Sequence, residues 1–181
     1  MELMLLRVFQ TQTLRQCKYV LSSARELDAA LKNRDIDRVF YALQNLLNAG
    51  ANISKALWGQ GGKLAEQRKP LRDSIGITDA SPLKEVTMRN NFEHFDERLD
   101  RWWSKSANHN IADHLVGPPD IINGLLENEK FRHYDPTTTN VIFWGQEFNV
   151  RRIVEEINRV LPALELEASK PHWEIGNLPP I

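Results

Sequence analysis

Two long apolar stripes, one directly after the other, constrain this chain more than any other feature. From Leu6 through Phe9, Cys17, Val20, Ala24, Leu27 and Leu31 the apolar positions recur at steps of three and four, with Thr13 interrupting. That spacing predicts one face of a long helix. Asn33 to Asp35 breaks it, and Ile36, Val39, Phe40, Leu43, Leu46, Leu47, Ile53 and Leu57 draw a second stripe that ends at GQGG, residues 59 to 62. Two helices joined by so short a break cover each other's stripes by folding back as an antiparallel hairpin. GQGG has neither a strand before it nor a Lys-Ser/Thr after it, so it is read as a helix stop and not as a phosphate-cradling loop.

Further along, Lys63 to Ile75 predicts a shorter charged helix with a kink or a late start at Pro70. Ser81-Pro82 predicts a helix start, Ser81 capping and Pro82 at the first helical position, with the helix continuing to about Ser104. The texture then changes. GPP at 117 to 119, Lys130 to Tyr134, DPTTTN and VIFWGQEF (141 to 148) combine turn formers with β-branched and aromatic residues, the pattern of a small β element. Asn149 can cap a last helix with the stripe Val150, Val154, Ile157 and Leu161, which Pro162 is expected to stop. The expected fold is therefore mainly α, an up-and-down helical bundle with a small β-hairpin or sheet insertion before the last helix. In a single domain over 1–181, residues 1–106 would form the bundle core, 107–149 the insertion, 150–162 the final helix and 163–181 an extended tail.

Composition excludes several classes of function. With 41% hydrophobic and 26% charged residues the chain has the balance of an ordinary globular protein. A net charge of −1 supplies no global attraction to nucleic acid or an acidic membrane, so any such contact has to come from a local cluster. One cysteine allows no internal disulfide and no multi-cysteine metal knuckle, and with no long apolar run for a signal or a membrane span the expected location is cytoplasmic. Cys17 lies within the first stripe and reads as a buried structural thiol.

The stretch RNNFEHFDERLDRWW, residues 89 to 103, concentrates charge, histidine and aromatic groups. On a continuous helix Met88, Phe92, Phe95, Leu99, Trp102 and Trp103 fall in one stripe, the expected core face. Arg89, Asn90, Glu93, His94, Glu97 and Arg101 fall opposite. Leu83 and Val86 continue that polar face one turn earlier, which would leave apolar surface exposed unless another helix packed there. Arg89 and His94 differ by about 140° around the axis and about 7.5 Å along it, so one helix does not easily aim both at a single atom. Two copies meeting about a twofold axis would bring two arginines and two histidines into one cleft.

Arg89-Asn90-Asn91-Phe92-Glu93-His94 resembles the motif of the HEPN family: arginine, a polar residue such as asparagine, then histidine after four to six intervening positions, on a late helix of a bundle. The resemblance covers roughly residues 1 to 105 and the last helix. It implies a homodimer with the motif helices facing each other and, in many members, a metal-independent endoribonuclease that needs no cofactor; toxin or defence roles fit the same family. An imidazole exchanges protons near neutral pH, so His94 would take the proton from a ribose 2′-hydroxyl or give one to the leaving 5′-oxygen. Arg89 would hold the scissile phosphate and the charge gathering on it. Asn90 would position the phosphate or orient His94, and Glu93 would pair with Arg89 at the four-residue spacing. The alternative is a non-catalytic member of the family, a structural dimer or a nucleotide-binding or other ligand-binding protein. Members controlled by nucleotidylation carry a tyrosine shortly after the histidine; here Phe95 stands in that region, and such control is not expected. The charges from Asp96 to Arg101 read as helix-stabilising pairs.

Other constellations carry less. His109 and His114 beside Asp113 have no helical stacking and no thiolate, so no metal site is expected. Phe143, Trp144 and Tyr134 are expected to pack the sheet on the bundle. Arg151 and Arg152 open the last helix, well placed to meet a phosphate.

Overall fold

The computed structural model describes residues 1–173. Both stripes form the expected helices: α1 spans Leu3–Asn33 and α2 spans Ile36–Trp58. The turn between them closes because Arg34 takes a left-handed conformation (φ 55°) and Asp35 Oδ1 accepts the Arg38 amide at 3.0 Å, capping α2. Val39, Leu43, Leu46, Ile53 and Leu57 are buried, and so is Cys17, whose thiol burial pushes up to about 12. That thiol is protonated and unreactive at neutral pH.

The buried face of α1 is partly polar. Arg7 and Gln10 lie in it with Thr13, and Arg7 donates to Gln10 Oε1 at 2.8 Å and pairs with Glu167 at 2.8 Å. Gln10 in turn donates to Ser74 Oγ at 2.9 Å. These contacts tie the start of α1 to the short helices and to the end of the last helix.

Lys63 to Ile75 forms two short helices, α3 (Gly62–Gln67) and α4 (Lys69–Ser74), and not one kinked helix; the break falls at Arg68 and Pro70 lies in the first turn of α4. Arg72, buried, holds the joint by donating to Leu57 O and Ala65 O, both at 2.7 Å.

The continuous helix expected from Ser81 to about Ser104 is divided into three. Ser81 and Pro82 start only a single 3₁₀ turn, Pro82–Lys84. Glu85 is extended and its carboxylate accepts the Thr87 amide, starting α5 at Thr87–Glu93; α6 then runs Phe95–Lys105, with His94 between them at φ −99°, ψ 41°. The breaks change which side chains are buried. Leu83, expected on the polar face, is buried against the chain's own core, so the exposed apolar surface that asked for a partner there is not present. Phe95 and Trp103, expected in the core, are 50% and 62% exposed, while Leu99 and Trp102 pack partly against it.

The insertion is a four-stranded sheet in the order β1 (Leu115–Val116), β2 (Arg132–Asp135), β3 (Asn140–Phe143), β4 (Gln146–Asn149). β1 pairs parallel with β2, and the rest are antiparallel, with Tyr134 opposite Val141 and Phe143 opposite Gln146. Trp144 and Gly145, both at positive φ, make the two-residue turn from β3 to β4. As expected, Tyr134 and Phe143 are buried in the common core and Trp144 packs partly against it; Val141 is buried with them.

The last helix, α7, spans Val150–Ser169, with Asn149 Oδ1 accepting the Arg152 amide at 3.1 Å. Pro162 does not stop it, and 163–169 are helical instead of extended. Pro162 and Asn158, whose carbonyl loses its partner, are both exposed, so water replaces the missing bond, while Leu164 is buried and Glu167 is pinned by Arg7. The expected tail beyond residue 173 lies outside the described residues. The chain is thus mainly helical, with the small sheet before the last helix; among the described residues no helix is long and apolar enough to cross a membrane.

Candidate functional site

Met88, Asn91 and Phe92 hold α5 on the core, Phe92 meeting Phe143 of β3 at 6.4 Å between ring centroids. Seven residues of helix with that face buried leave Arg89, Asn90 and Glu93 on the outer side. Arg89 is nevertheless largely covered. Its side chain is 17% exposed and borders a crevice with Val86, Leu83 and Phe148, and its Nε is buried with no hydrogen-bond partner among the described residues. The outer edge of the guanidinium is engaged within the chain: Nη1 donates to Asn90 Oδ1 at 3.1 Å, Nη2 to Glu93 Oε1 at 2.9 Å, and Nη1 also pairs with Glu93 Oε2.

His94 stands at the joint between α5 and α6, 49% exposed. Its Nε2 is 4.0 Å from Glu93 Oε2 and its Nδ1 is 3.4 Å from Glu97 Oε1. A continuous helix would keep Arg89 and His94 apart; the departure from helical geometry at His94 lets both approach one atom. Glu93 Oε2 is bracketed by the Arg89 guanidinium on one side and the His94 imidazole on the other. Chemically this is an anionic oxygen held by a fixed cation, with a group that can give or take a proton 4.0 Å away, beyond hydrogen-bond distance.

Two supporting residues were missed. Asn91 is buried, donates from Nδ2 to Gln146 Oε1 at 3.0 Å and accepts from Arg98 Nε at 3.2 Å, joining α5, α6 and β4 at the position of His94. Its place between Met88 and Phe92 in the apolar stripe was the signal: a buried amide needs partners. Glu85, whose carboxylate accepts the first amide of α5, carried no signal separable from a surface acid; its carboxyl lies below the ordinary range because it accepts from Thr87. Asp96 to Arg101 pair only in part, Arg98 with Glu97 at 3.5 Å, while the Arg101 guanidinium lies over Trp144.

The remaining candidates do not join this cluster. His109 lies against Trp103, ring centroids 4.1 Å apart, and His114 stacks on Phe40 at 4.5 Å. Asp113, beside His114, is committed to Arg132, which holds its carboxyl below the usual range against the cost of burial. Arg151 lies at another cavity, beside Tyr134. Compared with models of known families, with curated proteins and with solved structures, the chain matches none.

Proposed function

We propose that the chain is a HEPN-like, metal-independent endoribonuclease that acts as a homodimer through its motif segment. The observation that carries this is the convergence of Arg89 and His94 on Glu93 Oε2, the position an oxygen of a scissile phosphate would take when it displaces the carboxylate. The half-exposed Glu93 and His94 are free to make that exchange, whereas the covered stem of Arg89 keeps its guanidinium in place.

In the reaction the ribose 2′-oxygen attacks phosphorus, the bond from phosphorus to the 5′-oxygen breaks, and the products carry a 2′,3′-cyclic phosphate and a 5′-hydroxyl. One imidazole takes the 2′-hydroxyl proton and another protonates the leaving oxygen. One chain supplies a single motif histidine, so the second would come from the other copy. Arg89 stabilises the charge on the phosphoryl oxygens, and Asn90 fixes the guanidinium through its Oδ1. A cytoplasmic location, expected from the single cysteine, and a toxin or defence role fit an enzyme of this kind.

A non-catalytic role is favoured by one observation: both basic groups of the motif are already matched within the chain, Arg89 by Glu93 and His94 by Glu93 and Glu97. The two are separated by incubating the purified protein with RNA in excess chelator. The endoribonuclease gives cleavage with cyclic phosphate ends that is lost in both Arg89→Ala and His94→Ala. No cleavage of any RNA, with both substitutions weakening self-association, supports the structural dimer instead.

A further inference from the structure

A separate cavity of about 260 Å³ opens where α1, β2 and the first turn of α7 meet. Ala24, Leu27, Leu46, Val150 and Val154 give it apolar walls. Four polar side chains line it: Asp28, Arg151, Tyr134 and Thr139, whose hydroxyl already donates to the Thr138 carbonyl. Asp28 of α1 and Arg151 of α7, both exposed, stand at its rim, and among the described residues neither enters a salt bridge. Tyr134 lines it from β2, only 3% exposed, and its hydroxyl makes no hydrogen bond to any described residue. The hydroxyl oxygen is not fully buried: it opens to the cavity, where it can donate to a molecule inside.

The chemistry of the rim selects the partner. Asp28 favours an ammonium or another donor. Arg151 favours an anion, and it sits in the first turn of a twenty-residue helix whose N-terminal field adds to that preference. Opposite charges that line one cavity without closing on each other leave room for a molecule bearing both complementary charges. The walls ask that its body be aliphatic or aromatic. The volume falls below the roughly 300 to 1,000 Å³ typical of drug-sized ligands, which limits the occupant to a small molecule.

We infer that this cavity binds a small zwitterion with an apolar body, of the class of the free aliphatic and aromatic α-amino acids, its ammonium on Asp28, its carboxylate on Arg151, and Tyr134 donating to the carboxylate. Burial, and after it the Asp28 carboxylate, push the Tyr134 hydroxyl up to about 12, so it remains a donor throughout the neutral range. The site is distinct from the Arg89 and His94 cluster and does not depend on it being catalytic.

The test is calorimetric titration of the full chain with L-leucine and L-phenylalanine, and with their one-charge analogues 3-methylbutylamine, 4-methylpentanoate, phenethylamine and 3-phenylpropionate. Saturable binding of at least one amino acid is expected, with each of its analogues weaker by about tenfold or more, equivalent to about 1.4 kcal/mol. Asp28→Asn and Arg151→Gln, both at exposed positions, should each cause a comparable loss, and Tyr134→Phe a loss of several-fold. Amide shifts at Val150 and Val154 on titration would locate the site. Absence of saturable binding at low millimolar ligand, analogues that bind as tightly as the zwitterion, or undiminished binding in the Asp28 and Arg151 variants would each overturn the inference.

Discussion

Replacing Glu93 by glutamine separates an acid that occupies a phosphate position from one that merely braces a helix. The substitution preserves shape, leaves the Arg89 guanidinium one acceptor oxygen in place of two, and removes one negative charge from beside it. Two unit charges 4 Å apart interact by about 1 kcal/mol in water and about 4 kcal/mol at the effective dielectric of a protein surface. Arg89 is mostly covered but Glu93 is 46% exposed, which pulls the value toward the lower figure. An incoming phosphate freed from that competition should bind about five- to tenfold tighter, since 1.4 kcal/mol is tenfold. The cost to folding should stay within about 0.5 kcal/mol, as for other ion pairs four residues apart on a helix. The assay is fluorescence anisotropy of a 2′-O-methyl RNA oligonucleotide, which cannot be cleaved by 2′-attack, with a urea melt of the same preparation. The salt dependence should steepen by about 0.7 in log–log slope for one added phosphate contact on a single strand. Unchanged or weaker RNA binding combined with a stability loss above about 1 kcal/mol would refute the reasoning, because Glu93 would then be a structural partner of Arg89.

Two further outcomes concern the scaffold. Arg72→Met leaves the carbonyls of Leu57 and Ala65 without their charged donor, and at about 1.5 to 3 kcal/mol per hydrogen bond to a charged group a loss of roughly 3 to 6 kcal/mol is expected in urea unfolding; a loss below about 1 kcal/mol would contradict that role. The Glu167 carboxyl is held below its ordinary range first by Lys170 and, against the cost of burial, also by Arg7. A carboxyl whose folded pKa is depressed adds stability above its unfolded pKa and loses it as pH falls through the folded value. Glu167→Gln should therefore lower stability at neutral pH and flatten its decline on acidification; an unchanged acid limb in urea midpoints would show that Glu167 does not contribute to it.

Much of this architecture was open to reading in the sequence because α1 and α2 repeat one pattern over many turns, so a single polar intrusion such as Thr13 does not obscure the period. The segment from Ser81 to Lys105 was not open in the same way. Treated as one cylinder it fixes an angle for every residue, and a break at His94 makes each angle beyond it wrong. That is why Phe95 and Trp103 lie outside the core and why Leu83, ahead of the other break, lies inside it. At the breaks stand Glu85, whose carboxylate accepts the Thr87 amide, and Asn91, which accepts from Arg98 and donates to Gln146. Gln146 is 55 residues from Asn91 in the chain, and no local pattern carries such a contact. Pro162 misled for the opposite reason: its lost bond faces water, and burial of Leu164 with the Arg7–Glu167 pair outweighs it. At the site, residue types and order were legible, but their convergence on one oxygen was not.

The two halves of the motif are held by unequal means. α5 is fixed by Met88 and Phe92 in the core, so Arg89 inherits a rigid base. α6 buries no residue fully; Trp102 reaches the Asn110 carbonyl at 2.9 Å and leans edge-on against Phe131, and Arg98 is tied to Asn91. The placement of His94 relative to Arg89 therefore draws on the Asn91 bonds as well as on the partial packing of Leu99 and Trp102. Weakening that joint costs little core burial, so it would move the imidazole without unfolding the protein. The exposed Phe95 and Trp103 place apolar surface on α6, Phe95 directly after His94. A second copy packed there would fix α6 and set the imidazole against the guanidinium at the same time. Dimerisation and assembly of the site would then be one event, with Asn91 as the residue through which they are joined.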